Sequence, residues 1–323
     1  MDLLPGAAMI EADSLVKDYV LKTSLRKREK KIVHAVKDIS FTIREGERVG
    51  FIGLNGAGKT TTLKMLAGIL KPDSGNVRVN GVNPYNAKND FFKDLGFIMG
   101  NKSVLFYDIP VKYSFLFYKD VYGLSDAEYA RRLEFYFENL GIDDLYEIPV
   151  RKLSLGQRML CEIAVSLLHN PKVLFLDEPT IGLDIVVKKR IFDFLRNLNS
   201  RNGSTIILTT HQIEDIDTFC SRVIIIDEGK ICFDGNIKEI FNRGSSKIIE
   251  VSHSDAFDLS LHCCEKDATV LRQEENAIEF LLQKEQINGV IKSLLDDRSV
   301  LDVNIKERTL ESILQGFYGN RDA

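Results

Sequence analysis

The chain has 323 residues, of which 44% are hydrophobic and 28% charged, and its formal net charge is -4. This composition is typical of a globular protein with room for one large domain and a small one. A slightly acidic chain has no overall attraction to nucleic acid, and its apolar runs are far shorter than the roughly 18 residues that span a bilayer. We therefore expect a cytosolic protein that neither crosses a membrane itself nor binds nucleic acid.

The first part of the chain combines strands with a glycine-rich turn. From Val36, the stretch "VKDISFTIREGERVGFIG" alternates, reverses at Glu45 and Gly46, and ends in an apolar run, which predicts a hairpin feeding a buried strand. "GLNGAGKTTTLKMLAGIL" then reads as a glycine loop that opens a helix, and "SGNVRVNG" as a short strand. Apolar residues three and four apart predict helices across residues 101–169.

The second part of the chain alternates between strands and helices. "KVLFLD", "VVKKRIFDFLRNLNS", "STIILTT", "IEDIDTFC" and "RVIIIDEG" predict a parallel sheet with helices on its faces. From about Ser245, "KIIEVS", "AIEFLLQ" and "VLDVNIK" resemble strands, while "KEQINGVIKSLLDD" and "RTLESILQGFYG" resemble helices. We therefore expect one large domain over residues 1–243 and a small α+β accessory domain over residues 244–323.

Residues 53–60, "GLNGAGKT", match the pattern of a phosphate-binding loop between a strand and a helix. Gly53, Gly56 and Gly58 allow a tight turn whose N–H groups approach phosphate oxygens, and the helix adds its positive dipole end. Lys59 supplies charge to the terminal phosphates, and the Thr60 hydroxyl is suited to binding Mg²⁺. The expected nucleotide contacts in this loop are Gly53, Asn55, Gly56, Ala57, Gly58, Lys59, Thr60 and Thr61.

The sequence indicates less directly whether the nucleotide carries adenine or guanine. The N-K-x-D sequence typical of guanine-specific proteins is absent, because "NKSV" at Asn101 lacks the aspartate. Tyr19 precedes the loop and either stacks on adenine or packs in the core. ATP is the favoured nucleotide.

Acidic residues end the strand "KVLFLDEPT", at the edge where open α/β sheets bind ligands. Because side chains alternate along a strand, Asp177 and Glu178 should diverge. Asp177 then suits a metal-binding role and Glu178 the activation of a water molecule. His211 follows "ILTT" at the same edge, where its imidazole would reach the γ-phosphate.

"LSLGQR", residues 153–158, is a second small-residue turn that opens a helix. It offers a hydroxyl, backbone N–H groups and a helix N-terminus, which together make an anion site. The turn belongs to the helical segment and not to the strand ends that carry the first site. Its phosphate must therefore come from elsewhere.

The motifs "GLNGAGKTT", "LSLGQR", "VLFLDEPTIGLD" and "LTTH", in this order, resemble those of the ATP-binding subunits of ATP-binding cassette (ABC) transporters. The stretch "LGFIMGNKSVLFYDIPVKYSF" is further similar to ATPase subunits of ABC-2 type exporters. The resemblance covers residues 10–243. It implies an α/β fold: a P-loop NTPase core with a mixed sheet, an N-terminal antiparallel β subdomain and an inserted α-helical subdomain, followed by the small α+β appendage.

The resemblance also implies a head-to-tail dimer, formed with a second copy or a paralogous ATPase subunit. Each ATP would lie between the phosphate loop of one chain and the "LSLGQ" turn of the other. The implied contacts across that interface are Ser154, Leu155, Gly156, Gln157 and Asp184.

Two positions depart from the family pattern. Leu155 replaces a usual glycine, so its side chain must point away from the phosphate, and Asn101 stands where a metal-sensing glutamine is usual.

The function that the resemblance implies is an ATPase that powers an integral membrane permease in a separate chain, bound at the cytoplasmic face of the membrane. Phe106 and Tyr107 are the expected permease contacts, although core packing is an alternative for this aromatic region. A soluble ABC-superfamily ATPase of translation or DNA repair is the alternative function, but the two cassettes or long coiled coils of such proteins are absent. A regulator that only binds ATP is disfavoured by Glu178 and His211.

Overall fold

The structure is a computed structural model. It describes residues 7–22, 30–100, 102–210, 212–237, 239, 246–254, 257–263 and 268–306. The chain divides into two compact units, Met1–Asp234 and Gly235–Ala323. None of the helices in the described ranges is long and apolar enough to span a bilayer.

A six-stranded sheet forms the centre of the first unit, with the strand order β5-β6-β7-β3-β8-β9. Its strands are β3 (Arg48–Ile52), β5 (Leu95–Met99), β6 (Val173–Asp177), β7 (Thr205–Thr210), β8 (Arg222–Asp227) and β9 (Lys230–Asn236). Strands β5, β6, β7, β3 and β8 are successively parallel. Only two residues connect β8 to β9, so this pair is antiparallel and the sheet is mixed, as expected.

A second, antiparallel sheet in this unit has the order β2-β1-β4. Its strands are β1 (Ala8–Lys22), β2 (Lys30–Arg44) and β4 (Ser74–Val79). The predicted hairpin between "VKDISFTIR" and "RVGFIG" is therefore wrong, because β2 pairs with β1 whereas β3 pairs with β7 and β8. Alternation of apolar residues identifies both strands but does not select their partners.

The helices of this unit are α1 (Lys59–Leu66), α2 (Asn89–Phe92), α3 (Val111–Tyr122), α4 (Asp126–Leu140), α5 (Leu155–Ser166), α6 (Ile185–Asn202) and α7 (Ile213–Phe219). Helices α3, α4 and α5 form the predicted helical subdomain. The end of α4 shows how the sequence sets these bounds: Gly141 has a φ of 58°, a left-handed conformation that favours glycine and terminates a helix.

Strands β3, β6, β7 and β8 are buried on both faces, as their continuous apolar sequences predict. Phe51 and Phe175 lie completely buried in the core between the two sheets. The in-register pairing places Asp177 of β6 opposite Thr209 of β7, and Thr210 of β7 opposite Ile52 of β3. The carboxyl ends of three buried strands therefore meet at one edge of the sheet, and those of β6 and β7 carry polar residues.

The second unit contains a four-stranded antiparallel sheet of order β11-β12-β10-β13. Its elements are β10 (Ser246–His253), β11 (Ala268–Glu274), β12 (Ala277–Gln283), α8 (Lys284–Asp296) and β13 (Val300–Lys306). Phe280 and Leu294 belong to the core that the sheet and helix share. The α+β appendage is thus confirmed, with β11 as an additional strand; the predicted helix "RTLESILQGFYG" lies outside the described residues.

Candidate functional site

The phosphate loop connects β3 to α1, and its glycines are required by close backbone contacts. A Cβ atom on Gly53 would lie 2.2 Å from the carbonyl oxygen of Ile226, and one on Gly58 would lie 2.4 Å from that of Ala35. Gly58 is also the N-cap of α1, with a φ of 108°. Any side chain at these two positions would collide with backbone, which accounts for two of the three glycines of the motif.

Lys59 is almost fully buried beneath the loop. Its Nζ donates hydrogen bonds to the carbonyl oxygens of Gly53, at 2.6 Å, and Leu54, at 3.2 Å. Burial lowers the pKa of this ammonium group, and the nearby carboxylates of Glu178 and Asp177 act in the opposite direction. The structure therefore holds a buried cation between the phosphate loop and the acidic end of β6.

Asp177 is held by two hydroxyl groups at the end of β6. Its Oδ1 accepts hydrogen bonds from Thr60 Oγ1, at 2.9 Å, and from Thr209 Oγ1, at 2.7 Å. Residues from α1, β6 and β7 thus meet at one carboxylate oxygen. In the described part of the chain no three His, Cys, Asp or Glu side chains gather as a metal site. One carboxylate and one hydroxyl are nevertheless the usual protein share of an Mg²⁺ site completed by phosphates and water.

Glu178 has a backbone conformation that is uncommon for a residue with a side chain, with a φ of 52°. Its N–H donates to the carbonyl oxygen and to Oγ1 of Thr209, both at 3.1 Å. Whereas Asp177 faces two threonine hydroxyls, Glu178 lines a pocket with the phosphate loop. The two carboxylates have different surroundings. Glu178 lies beyond the end of β6 in a left-handed conformation, so the alternation along a strand from which the sequence predicted this divergence does not extend to it.

That pocket has a volume of about 280 Å³. Its lining residues are Tyr19, Val33, Ala35, Asn55, Gly56, Ala57, Gly58, Lys59, Thr60, Thr61 and Glu178. Tyr19 is 38% exposed, so the structure excludes core packing for its ring. The paired strands β1 and β2 bring Tyr19 and Val33 to the loop from a distant part of the sequence.

Two predicted site residues, His211 and Asn101, lie outside the described residues. Gly100, which precedes Asn101, approaches the acidic edge closely: its N–H donates to the carbonyl oxygen of Asp177 at 2.9 Å. A Cβ atom on Gly100 would lie 2.3 Å from the carbonyl oxygen of Glu178. The roles assigned to His211 and Asn101 stay predictions.

The "LSLGQ" turn is held by a capping box at the start of α5. Ser154 Oγ accepts a hydrogen bond from the N–H of Gln157 at 3.2 Å, and Gln157 Oε1 accepts one from the N–H of Ser154 at 3.0 Å. Leu155 is 43% exposed and lies beside Gly182, where an added Cβ would be 3.3 Å from Leu155 Cδ2. No residue of the turn is among those lining the 280 Å³ pocket of the same chain.

Asp184 is the N-cap of α6 and accepts hydrogen bonds from the N–H groups of Val186, at 3.0 Å, and Val187, at 2.9 Å. The side chain is exposed, and so are several apolar side chains around it and the "LSLGQ" turn. These exposed apolar residues are Leu155, Ile181, Ile185 and Val186. Ile185, at 81%, shows the greatest exposure of the four, which is unusual for an isoleucine that has no partner surface.

Thr209 is a site residue that the sequence analysis did not identify. Its hydroxyl contacts Asp177 and its backbone contacts Glu178. The signal was present in "ILTTH", because a polar residue near the end of a buried parallel strand must find a polar neighbour. Which strand supplies that neighbour depends on the register of β6 and β7, and only the structure shows this.

Comparisons with known proteins identify the family to which the chain belongs. The family model described as ABC transporter matches residues 36–181. The ABC transporter ATP-binding protein NatA of Bacillus subtilis is 33% identical over 219 residues, which cover 68% of this chain and 89% of that protein. The chain belongs to the family of ABC transporter ATP-binding proteins. It is therefore an ATP-binding and ATP-hydrolysing subunit of an ABC transporter.

Other relatives of this ABC ATPase extend across both units. The linearmycin resistance ATP-binding protein LnrL of Bacillus subtilis is 28% identical over 324 residues, covering 96% of this chain and 98% of that protein. These named relatives are transporter or resistance subunits, and neither is a translation or DNA-repair ATPase, so they support the transporter function over that alternative.

Solved structures confirm the fold of the cassette. The structure of cbiO1 from Clostridium perfringens, described as part of the ABC transporter complex cbiONQ, has a TM-score of 0.62 at 30% identity; the match covers 73% of this chain and 91% of that one. The ATP-binding cassette MJ0796, described as a dimeric post-hydrolysis state bound to ADP and Pi, has a TM-score of 0.61 at 25% identity. The match covers 71% of this chain and 99% of that one.

Proposed function

We propose that this ABC ATPase hydrolyses ATP in the pocket above α1, with Glu178 orienting and activating the attacking water. The observation that carries the proposal is the convergence of Lys59, Thr60, Asp177 and Glu178 at one edge of the sheet. The loop N–H groups and Lys59 would bind the β- and γ-phosphates. Tyr19, exposed at the pocket wall, would stack on the adenine.

The residues present fit Mg²⁺ beside the γ-phosphate. Thr60 Oγ1 and Asp177 Oδ1 are hard oxygen donors 2.9 Å apart, and Thr209 holds the same carboxylate oxygen in place. Mg²⁺ would neutralise charge that develops on the phosphate oxygens during hydrolysis. In this arrangement Thr209 orients Asp177, and Lys59 adds a second positive charge near the same carboxylates.

We further propose that the active form is a head-to-tail dimer of two copies, or of one copy and a paralogous subunit. The "LSLGQ" turn lies outside the pocket of its own chain, and exposed apolar residues surround it. The Ser154 hydroxyl accepts the Gln157 N–H and so keeps its own proton available for a γ-phosphate of the partner. Supplying charge-stabilising groups from a second chain is worth roughly 10³ to 10⁵ in phosphoryl-transfer rate in other systems.

We propose that an integral membrane permease in a separate chain binds next to α3, so that the ATPase lies at the cytoplasmic face of the membrane. The region exposes aromatic and aliphatic side chains far beyond what a solvated surface helix needs. The exposed residues of this permease-binding patch are Phe106, Tyr107, Ile109, Tyr113, Leu116, Phe117 and Val121. Similarity to LnrL, named for linearmycin resistance, supports export as the direction of transport.

Substituting Glu178 tests the proposed hydrolysis directly. Glu178→Gln should abolish steady-state ATP hydrolysis, because the amide cannot accept a proton from water, while ATP-dependent dimers accumulate in light-scattering measurements. Glu134→Gln, an exposed glutamate on α4, is the matched control and should behave as the parent. Hydrolysis by Glu178→Gln near the parent rate would contradict the assigned base.

Affinity purification from detergent extracts tests the proposed partner. The ATPase should recover a polytopic membrane protein, and Tyr107→Asp on the permease-binding patch should reduce that recovery without lowering ATP affinity. Recovery of ribosomes or DNA in place of a membrane protein would contradict the transporter assignment.

A further inference from the structure

Asp215, on α7, is a buried carboxylate outside the ATP pocket. Its Oδ2 accepts a hydrogen bond from Thr180 Oγ1 at 2.5 Å, and its Oδ1 lies 3.2 Å from Lys188 Nζ. The Asp215 side chain is 3% exposed and that of Lys188 is 19% exposed. A charge this deeply buried is retained only when it is paired and hydrogen-bonded, so these contacts fix the positions of their partners.

Thr180 follows Glu178 by two residues, immediately after Pro179. Besides donating its hydroxyl proton to Asp215, it accepts at its carbonyl oxygen a hydrogen bond from the N–H of Leu183, at 3.2 Å. This second bond closes the turn that leads directly to Asp184. One residue therefore sits between the proposed base and the aspartate expected at the dimer interface, and Asp215 holds it.

Lys188 connects the same carboxylate to two further segments. It lies one helical turn after Asp184, and its N–H donates to the carbonyl oxygen of Asp184 at 3.0 Å. Its Nζ also donates to Oε1 of Gln212, the residue that follows His211 in the sequence. Gln212 is itself anchored, because its N–H donates to Thr210 Oγ1 at 2.9 Å.

The network of Thr180, Lys188, Gln212 and Asp215 thus joins the segment after Glu178, the first turn of α6, and the end of β7. Each of these segments adjoins a residue with a proposed role in hydrolysis. Glu178 has a left-handed backbone conformation, which persists only when the surroundings over-determine it. Thr180 supplies one such restraint from the C-terminal side, and Thr209 supplies another at the N–H of Glu178 itself.

We propose that Asp215 is a positioning residue for ATP hydrolysis: by holding Thr180 and Lys188, it sets the geometry of the Glu178 segment relative to the start of α6. Asp215 does not line the ATP pocket, so it acts on the rate of the chemical step and not on nucleotide binding. The inference rests on the proposed role of Glu178 as the base. It goes beyond that role because it assigns a function to buried residues that do not line the ATP pocket.

Substitutions at both ends of the short hydrogen bond test this inference in the full-length protein. Thr180→Val removes the hydroxyl donor, whereas Thr180→Ser retains it. Asp215→Asn places an amide NH₂ group beside Thr180 or Lys188, so one of the two contacts is lost. Asp193→Asn is the control for the same chemical change, because Asp193 pairs with Arg196 at the exposed surface of α6.

Thr180→Val and Asp215→Asn should each lower kcat for ATP about 10- to 100-fold, the effect expected of a small misplacement of a catalytic group. KM should change less than about twofold, because the pocket-lining residues are untouched, and Thr180→Ser and Asp193→Asn should match the parent. The double variant should lose less than the two single variants combined, because both changes act on the same hydrogen-bond network.

Two results would overturn the inference. One is a kcat within about twofold of the parent for Thr180→Val and Asp215→Asn, measured while Glu178→Gln abolishes hydrolysis. The other is a KM that rises in proportion to the loss of kcat, with a lower unfolding temperature in both variants, which identifies a purely structural role. Hydrolysis that survives in Glu178→Gln contradicts the proposed base instead, so the two failures are distinguishable.

Discussion

The helices α1 and α5 both begin at a turn of small residues that is suited to an anion, but the two turns are held in different ways. At α1 no side chain caps the helix. The turn depends on glycines, because a Cβ atom at these positions would collide with neighbouring backbone atoms. At α5 the turn is maintained by reciprocal hydrogen bonds between Ser154 and Gln157. The first turn depends on backbone packing and the second on side-chain capping.

This difference gives the two turns different tolerance to substitution. The phosphate loop lies against Ala35 and Ile226, so its shape is part of the core of the first unit. Ser154 and Gln157 of the "LSLGQ" turn are exposed, so they can be exchanged for other capping residues without disturbing the core. Changes at α1 should therefore affect folding and binding together, whereas changes at α5 can separate stability from hydrolysis.

The largest effect is expected for Gly58→Ala. The substitution combines an unfavourable φ with a Cβ 2.4 Å from a backbone oxygen, so the free energy of unfolding should fall by more than about 2 kcal/mol. ATP affinity should fall with it, because the loop must move. Urea unfolding without nucleotide and binding of a fluorescent ATP analogue measure the two effects.

Gly56→Ala is the control for the backbone conformation alone. Gly56 has a φ of 84°, but no atom lies within 4 Å of an added Cβ. The free energy of unfolding of Gly56→Ala should therefore fall by only about 1–2 kcal/mol. Equal losses for the two variants would show that steric packing against Ala35 is not what holds the loop.

Ser154→Asp should separate capping from phosphate binding at the second turn. Aspartate is as good an N-cap as serine, so the free energy of unfolding should stay within about 0.5 kcal/mol of the parent. The hydroxyl donor is lost and a negative charge faces the γ-phosphate of the partner, so hydrolysis should fall at least about 100-fold. Steady-state ATPase assays and thermal unfolding give the two readouts.

The comparison variant for Ser154→Asp is Ser154→Ala, which loses the cap as well. It should lower the free energy of unfolding by about 1 kcal/mol and also reduce hydrolysis. Near-parent hydrolysis by Ser154→Asp would argue that this turn does not contact nucleotide.

Tyr19→Ala should have a smaller effect, confined to nucleotide binding at the phosphate loop. Loss of stacking should raise the Kd for ATP about 5- to 10-fold, equivalent to about 1 to 1.4 kcal/mol. Stability should hardly change, because the ring is exposed at the pocket wall. Tyr19→Phe retains the ring and should bind ATP as the parent does; a similar loss of affinity in both variants would exclude stacking as the cause.

The smallest effect is expected for Gln157→Ala, which removes one of the two hydrogen bonds of the capping box. The free energy of unfolding should fall by about 0.5 kcal/mol, less than for Ser154→Ala. Gln157→Glu retains an acceptor at the same position and should keep the parent stability. If Gln157→Ala lowers the free energy of unfolding more than Ser154→Ala does, the turn is not held by the capping box that the structure shows.

Most of the fold and the residue types of the site could be predicted from local patterns. The strand before "GLNGAGKT", the helices of the helical subdomain and the alternation after Lys172 all follow from periodicity, and the structure confirms them. The hairpin between β2 and β3 was wrong, and β5, β9 and β11 were missed. Short strands carry little periodic signal, and pairing depends on residues far away in the sequence.

The sequence by itself determined that the chain has a phosphate loop, an acidic strand end and a second turn of a type suited to an anion, because each consists of consecutive residues. Only the tertiary structure decided that Thr209 holds Asp177, that Tyr19 faces the loop, and that Asp215 joins Thr180 to Lys188. These contacts depend on strand register and on the packing of helices against the sheet. Such long-range geometry arises from burial of the whole core and leaves no local pattern.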